Sequence, residues 1–200
     1  MKILLDCSPD KITRYRDKYD HDFWQLRTPL TKYAIGDTPW ALDNGCFSEF
    51  NYPQWKRMVD DETSQPLWVT LPDMVGDATR TMDLFDHFLL QTNEVPRALV
   101  LQDGIGQHRI PWQHLSAVFV GGSDDFKVST EAVNACKTAK MLNKWVHVGR
   151  VNTPARVHQW LGLADSIDGS GISRYDHMLE DVLLAINGDH PQQDLYKEAQ

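Results

Sequence analysis

Eight short apolar runs punctuate this chain, at 2–6, 23–27, 40–43, 67–73, 98–102, 117–122, 145–150 and 165–169. Several lack polar alternation, as in Ala98-Leu99-Val100-Leu101 and Ala117-Val118-Phe119-Val120. That is the pattern of strands covered on both faces in a parallel sheet. Helical segments stand between them. Met82, Phe85, Phe88 and Leu89 recur at helical spacing within 77–92, and Tyr175, Met178, Leu179, Val182 and Leu183 form a stripe within 172–186. Further helical segments are expected at 130–142 and 154–163. Alternation of strand and helix over eight repeats predicts an α/β fold, a single compact (β/α)8 barrel. The repeat around 23–27 is the least regular, because the early connections are short and rich in proline and aromatics.

Local signals support the boundaries. Asn152-Thr153-Pro154 reads as a cap followed by a first-turn proline, Asp77 as the cap of the helix after it, and Asn187-Gly188 as a helix stop. The barrel is expected to occupy 1–188, and 189–200, polar and broken by Pro191, a C-terminal tail. With 200 residues and 42% hydrophobic content, the chain can bury one substantial core. It shows no internal repeat, glycine-serine linker or low-complexity tract.

Composition excludes several classes. No apolar stretch reaches the roughly 18 residues of a membrane span, and the N-terminus MKILLDCSPDK is charged too early for a signal peptide. A soluble cytoplasmic protein is the expectation, with no membrane partner. Cys7, Cys46 and Cys136 are odd in number and widely spaced, which fits reduced thiols better than a disulfide framework. No CxxC pair or Cys/His cluster has ligand spacing, so no metal and no cofactor are expected. A formal net charge of −8 argues against indiscriminate polyanion binding. Within 126–164, however, Lys127, Lys137, Lys140, Lys144, Arg150 and Arg156 face the single acid Glu131. Solvated helix faces are the plain reading of these charges, and a basic track beside a site is the functional one.

The chemistry gathers at the strand ends. Asp43, in Trp40-Ala41-Leu42-Asp43-Asn44-Gly45, and Asp168, in Asp165-Ser166-Ile167-Asp168-Gly169, each end an apolar run and meet glycine within two residues. Asp6, Asp73, Gln102, Gly121-Gly122 and Gly149-Arg150 occupy the corresponding places on other runs. In a parallel barrel these ends converge on one face, so acids, an amide and exposed backbone donors would line one pocket. A single aspartate after a strand is most simply a turn former or helix cap; the convergence is what carries the inference. Arg150 and Arg174 suit a phosphate or a structural ion pair. His147 lies in an apolar strand, where packing is the first expectation and a place beside the pocket the second.

In order and content these motifs resemble the tRNA-guanine transglycosylases, and more closely their phage-associated relatives of the deazapurine-in-DNA (DpdA) type. The family's DSGGFQ element is similar to Asp43-Asn44-Gly45-Cys46-Phe47-Ser48, its glutamine strand end to Leu101-Gln102-Asp103-Gly104, and its GG turn to Val120-Gly121-Gly122. Val146-His147-Val148-Gly149 with Thr153-Pro154 resembles its histidine strand and the helix start beyond. Asp165-Ser166-Ile167-Asp168 with Arg174 resembles its nucleophile segment. Together these cover about 40–175.

The resemblance implies a TIM-like barrel enzyme, a glycosyltransferase that exchanges guanine for a 7-deazaguanine base such as 7-cyano-7-deazaguanine (preQ0). Asp168 matches the nucleophile, which would hold the sugar as a glycosyl ester. Asp43 matches the acid/base. Asp73 would accept from guanine N1–H and the exocyclic amine, while Gln102 and the Gly121-Gly122 turn would approach O6. Phe47 would stack on the base, and His147 and Arg174 would border the substrate. Cys46 stands where the tRNA enzymes have glycine. DNA is the implied target, with a flipped-out or opened nucleotide, and Lys127 and Arg150 are the expected backbone contacts.

The tRNA enzymes also carry a zinc subdomain with three cysteines and a histidine, and no such cluster is present here. That favours DNA over tRNA. The acidic remainder leaves room for an accessory protein that supplies DNA affinity, and a phage-encoded protein acting in a host cytoplasm fits the resemblance. Three other readings use the same pocket. An N-glycosidase or nucleoside hydrolase would let water finish the reaction, a binding protein would form no adduct, and a phosphate-binding barrel enzyme would exploit Gly121-Gly122 and Arg150.

Overall fold

The computed structural model describes residues 1–61, 64–92 and 94–188; the expected tail at 189–200 lies outside them. The strands are β1 (Lys2–Leu5), β2 (Phe23–Arg27), β3 (Trp40–Leu42), β4 (Val69–Thr70), β5 (Arg97–Leu101), β6 (Ala117–Val120), β7 (Trp145–Val148) and β8 (Ser166–Asp168). They close in sequence order into one barrel in which every neighbouring pair is parallel. The fold is therefore the (β/α)8 barrel class expected from the eight apolar runs.

Successive side chains on a strand point to opposite faces, and this chain uses that alternation twice. Ile3, Leu5, Leu42, Leu99, Val118 and Ile167 point outward into the layer shared with the helices. Leu4, Leu26, Ala41, Trp68, Val100 and Phe119 point inward and fill the barrel. Trp68 is 1% exposed, and burying a side chain of this size contributes about 3 kcal/mol. Two residues beyond the inward plug the same face becomes polar: Asp43 follows Ala41, Gln102 follows Val100, and Gly121 follows Phe119. On β8, Asp168 follows the inward Ser166. The alternation that packs the interior thus also delivers the site to the strand C-terminal ends.

The outer layer holds α1 (Pro9–Tyr19), α2 (Tyr52–Asp61), α3 (Ala78–Leu89), α4 (Asp124–Lys127), α5 (Thr130–Met141), α6 (Pro154–Trp160), α7 (Ser170–Arg174) and α8 (Asp176–Asn187). Asp77 caps α3 by accepting from Arg80 N–H, Thr153 caps α6 ahead of Pro154, and Gly188 ends α8 at φ 85°. The helix expected over 172–186 is two helices, because Tyr175 is extended (φ −119°, ψ 116°). The break folds Met178 back onto Gly171, where any Cβ would come within 2.6 Å of the methionine methyl carbon.

Strict alternation does not hold. The β2–β3 connection contains no α-helix, and the β5–β6 connection has only short 3-10 turns at Ile105–Gln107 and Trp112–His114. The sequence of β2 accounts for the first exception. Its outward side chains include Gln25 and Arg27, both buried, which an apolar helix could not satisfy. A loop covers them instead. Gln25 Nε2 donates to the carbonyls of Cys7 (3.1 Å) and Ala34 (3.3 Å), and Arg27 donates to that of Tyr33 (2.7 Å). No helix among the described residues is long and apolar enough to cross a membrane.

Candidate active site at the barrel mouth

Asp168 is anchored at both of its carboxylate oxygens. His147 Nε2 lies 2.8 Å from its Oδ2, and the backbone N–H of Arg150 donates to its Oδ1 at 3.2 Å. The other imidazole nitrogen, Nδ1, is 2.8 Å from Ser166 Oγ, which accepts from Trp145 Nε1 at 2.8 Å. A neutral ring with its proton on Nε2 satisfies this whole chain. The ring is fully buried between Trp68 and Phe119, with centroids 4.9 and 4.7 Å away. His147 therefore packs, as first expected, and also fixes Asp168.

The turn after β7 wraps the same aspartate. Gly149 leaves no room for a side chain, since a Cβ would meet the Phe119 ring at 2.6 Å and Asp168 Oδ2 at 3.4 Å. Arg150 then adopts φ 61°, a left-handed conformation costing about 1 kcal/mol for a non-glycine residue. That geometry aims its N–H at the carboxylate, while Val151 N–H donates to the Asp168 carbonyl at 2.6 Å. The Arg150 guanidinium lies 4.5 Å over the exposed Phe47 ring and donates to the Gly122 carbonyl.

Asp43 is held differently. Its Oδ1 has only long contacts, 3.3 Å to Gly45 N–H and 3.5 Å to Thr70 Oγ1. Burial, then the charge of Asp168, pushes its carboxyl up to about 7, the Gly45 N–H drawing it back only in part. Two carboxylates thus share a mouth in unlike surroundings, and Asp43 keeps a proton up to about pH 7.

Asp73 forms the floor of the far side. Asn44 Nδ2 donates to its Oδ1 (2.8 Å) and Gln102 Nε2 to its Oδ2 (2.6 Å). Burial raises this carboxyl, opposed by hydrogen bonds from Asn44, Gln102 and Cys46. Asn44 is a hub: Nδ2 also meets the Leu71 carbonyl at 2.7 Å, and Oδ1 accepts from Cys46 N–H at 2.7 Å. Gln102 Oε1 accepts from Gly76 N–H at 2.8 Å. Oε1 is thus engaged by Gly76 and one Nε2–H by Asp73, so Gln102 fixes Asp73 while itself standing in the cavity wall.

A cavity of about 220 Å3 brings most of the expected residues together: Asp43, Asp73, Gln102, Gly121, Gly122 and Asp168, with Phe47 and Arg150 at its rim. Arg174 is outside it, beside Asp6 in an adjoining cavity. His147 stands beneath Asp168. Lys127 is a correction. Expected to contact a nucleic-acid backbone, it is 1% exposed and donates to the Gly149 carbonyl at 2.5 Å. The short α4 turns its stem inward, and burial and then the Arg150 charge depress its ammonium to about 8. Asn44 and Ser166 were not foreseen. Asn44 stands in the sequence only as a member of the Asp43–Ser48 element, and Ser166 shows its inward placement only through the period-two spacing to Asp168. Among the described residues, no group of three or more His, Cys, Asp or Glu is placed to hold a metal ion.

No protein-family model matches this chain. No curated protein matches it either. Among solved structures it is similar to a "putative dehydratase" from Mesorhizobium loti at 11% identity and a TM-score of 0.49, over 90% of this chain. The chain spans 55% of that protein's length.

Proposed function

We propose that this protein is a nucleobase transglycosylase that exchanges guanine in DNA for a 7-deazaguanine base through a covalent Asp168 intermediate. The observation that carries the reading is the unlike pair of carboxylates in one cavity. Asp168 is aimed by His147 and the Arg150 N–H, whereas Asp43 holds a proton to about pH 7. A nucleophile and an acid are the two groups that base exchange requires.

In the first step Asp168 forms a bond to C1′ as the C1′–N9 bond breaks, and the Asp43 proton goes to departing guanine. In the second, Asp43 takes the N9 proton of the incoming deazaguanine, whose nitrogen attacks C1′ and releases Asp168. Two displacements restore the configuration at C1′. Asp73, with both oxygens already oriented, accepts from N1–H and the exocyclic amine that distinguish guanine from adenine. A mispaired buried group there costs about 1–3 kcal/mol. DNA as the target follows the resemblance to the deazapurine-in-DNA branch.

The test is incubation with guanine-containing DNA or tRNA plus 7-cyano-7-deazaguanine, nuclease digestion and mass spectrometry, with Asp168→Ala as control. Deazaguanine nucleoside in DNA, dependent on Asp168, is the expected product. Abasic sites would replace exchange by hydrolysis, product only in tRNA would change the target, and no product with either would overturn the reading.

A further inference from the structure

Three cavities stand in series around the mouth. The 220 Å3 cavity shares Asp43, Asp168, Thr28 and Ser170 with a second of about 170 Å3. The second shares Asp6, Ser173 and Arg174 with a third of about 550 Å3. The third is walled by Lys11, Lys32 and Arg174, with Tyr33 half-exposed beside them. Polar acceptors for a base, then a carboxylate pair, then three cations and an aromatic ring follow one another across the mouth. A nucleotide within a strand presents base, C1′ and phosphate in that same order.

We infer that the third cavity is a subsite for the nucleotide flanking the target on a single polynucleotide strand. Its phosphate lies on Lys32, Lys11 and Arg174, and its base stacks on Tyr33. This rests on the reading of Asp43 and Asp168 as the centre that acts at C1′. Cations beside an exposed aromatic are what a single-strand track requires, since phosphate attraction and base stacking together supply its affinity. Lys11 is already aimed, its Nζ donating to the Ser173 carbonyl at 2.9 Å. Asp6 is the one acid on this wall, and Thr31 Oγ1 lies 3.0 Å from its Oδ1. It stands beside Arg174 on the boundary with the second cavity, whereas Lys32 and Lys11 line the third cavity alone, which places the phosphate toward those two lysines with Arg174 at its edge. The loop that replaces a helix after β2 supplies both Lys32 and Tyr33. The backbone path thus lies on the β1–β2 side, away from buried Lys127.

The test is fluorescence anisotropy of a labelled single-stranded guanine-containing DNA, and of its RNA counterpart, on an Asp168→Asn background so that binding is read apart from chemistry. Lys32→Ala and Arg174→Ala are expected to weaken binding and each to lower the salt slope by about 0.7. Tyr33→Ala should weaken binding about tenfold and Tyr33→Phe should restore it. Lys137→Ala and Lys144→Ala should change it less than about twofold. A parent that binds neither strand, Lys32 and Tyr33 variants that bind like it, or an equal loss at Lys137 and Lys144 would overturn the subsite. Binding that maps to Lys32 and Tyr33 without base exchange in the active protein would keep the subsite and overturn the reaction. Exchange on DNA with Lys32 and Tyr33 indifferent would do the reverse.

Discussion

His147 Nε2 stands 2.8 Å from Asp168 Oδ2 while the same ring is wedged between Trp68 and Phe119. The imidazole is a spacer of fixed length between the hydrophobic plug and the carboxylate. His147→Ala should lower kcat about tenfold to a hundredfold with little change in KM, because Asp168 loses its aim. It should also cost about 2–4 kcal/mol in urea unfolding, from the void and the deserted Ser166 hydroxyl. An unchanged kcat in a folded variant would remove His147 from any positioning role.

Asp43 sets a pH window. Its folded-state carboxyl, up at about 7, lies above an unfolded value of about 3.9. The native state therefore binds the extra proton between about pH 4 and 7, and stability contributed by this group falls as pH rises through that range. Asp43→Asn should gain on the wild type by about 1–3 kcal/mol between pH 4 and pH 8. In activity, the first step should decline above about pH 7, and Asp43→Asn should lose about 10²–10⁴ in rate together with that limb. Urea unfolding and pre-steady-state rates across pH check both.

Asn44 holds two acceptors apart, with Nδ2 donating to the Leu71 carbonyl and to Asp73. Asn44→Asp replaces that donor with a third acceptor and should destabilise the protein by about 2–4 kcal/mol at neutral pH. Asn44→Ala, which only leaves them unmet, should cost about 1–3. Denaturant midpoints that rank the two the other way would contradict the bonding pattern.

Lys127 should show itself at alkaline pH. Its folded-state ammonium, down at about 8, lies below an unfolded value of about 10.4. The unfolded chain binds more protons between those values, so this group favours folding increasingly as pH rises across them. The wild type should therefore gain on Lys127→Met by about 1–3 kcal/mol between pH 8 and pH 10. A constant difference between the two denaturation curves would show that the ammonium is not desolvated.

The barrel was legible because strand identity is local. Runs such as 98–102 and 117–122 carry their burial in consecutive apolar residues, and the site's Gln102 and Gly121-Gly122 stand at their ends. Helix α1 is signalled in the sequence by Ser8-Pro9-Asp10, which has the composition of a helix start. Ser8 does cap α1, accepting from Lys11 N–H. The missing helix after β2 was foreshadowed by Gln25 and Arg27, polar at outward positions, yet which loop carbonyls receive them depends on closure of the barrel. Lys127 misled because a lysine in a basic segment is ordinarily solvated. Its burial follows from the single turn of α4 beneath the Gly149 carbonyl, which no pattern in the chain announces.

The period-two alternation has a consequence for fidelity. Asp43 and Asp168 ride the same inward faces as Ala41 and Ser166, so a one-residue slip of β3 or β8 would turn a carboxylate out beneath the helices and an outer-layer residue into the lumen. No misaligned barrel could keep its packed interior while losing its carboxylate pair, or the converse. Quality control of folding and proofreading of the site are here one and the same event.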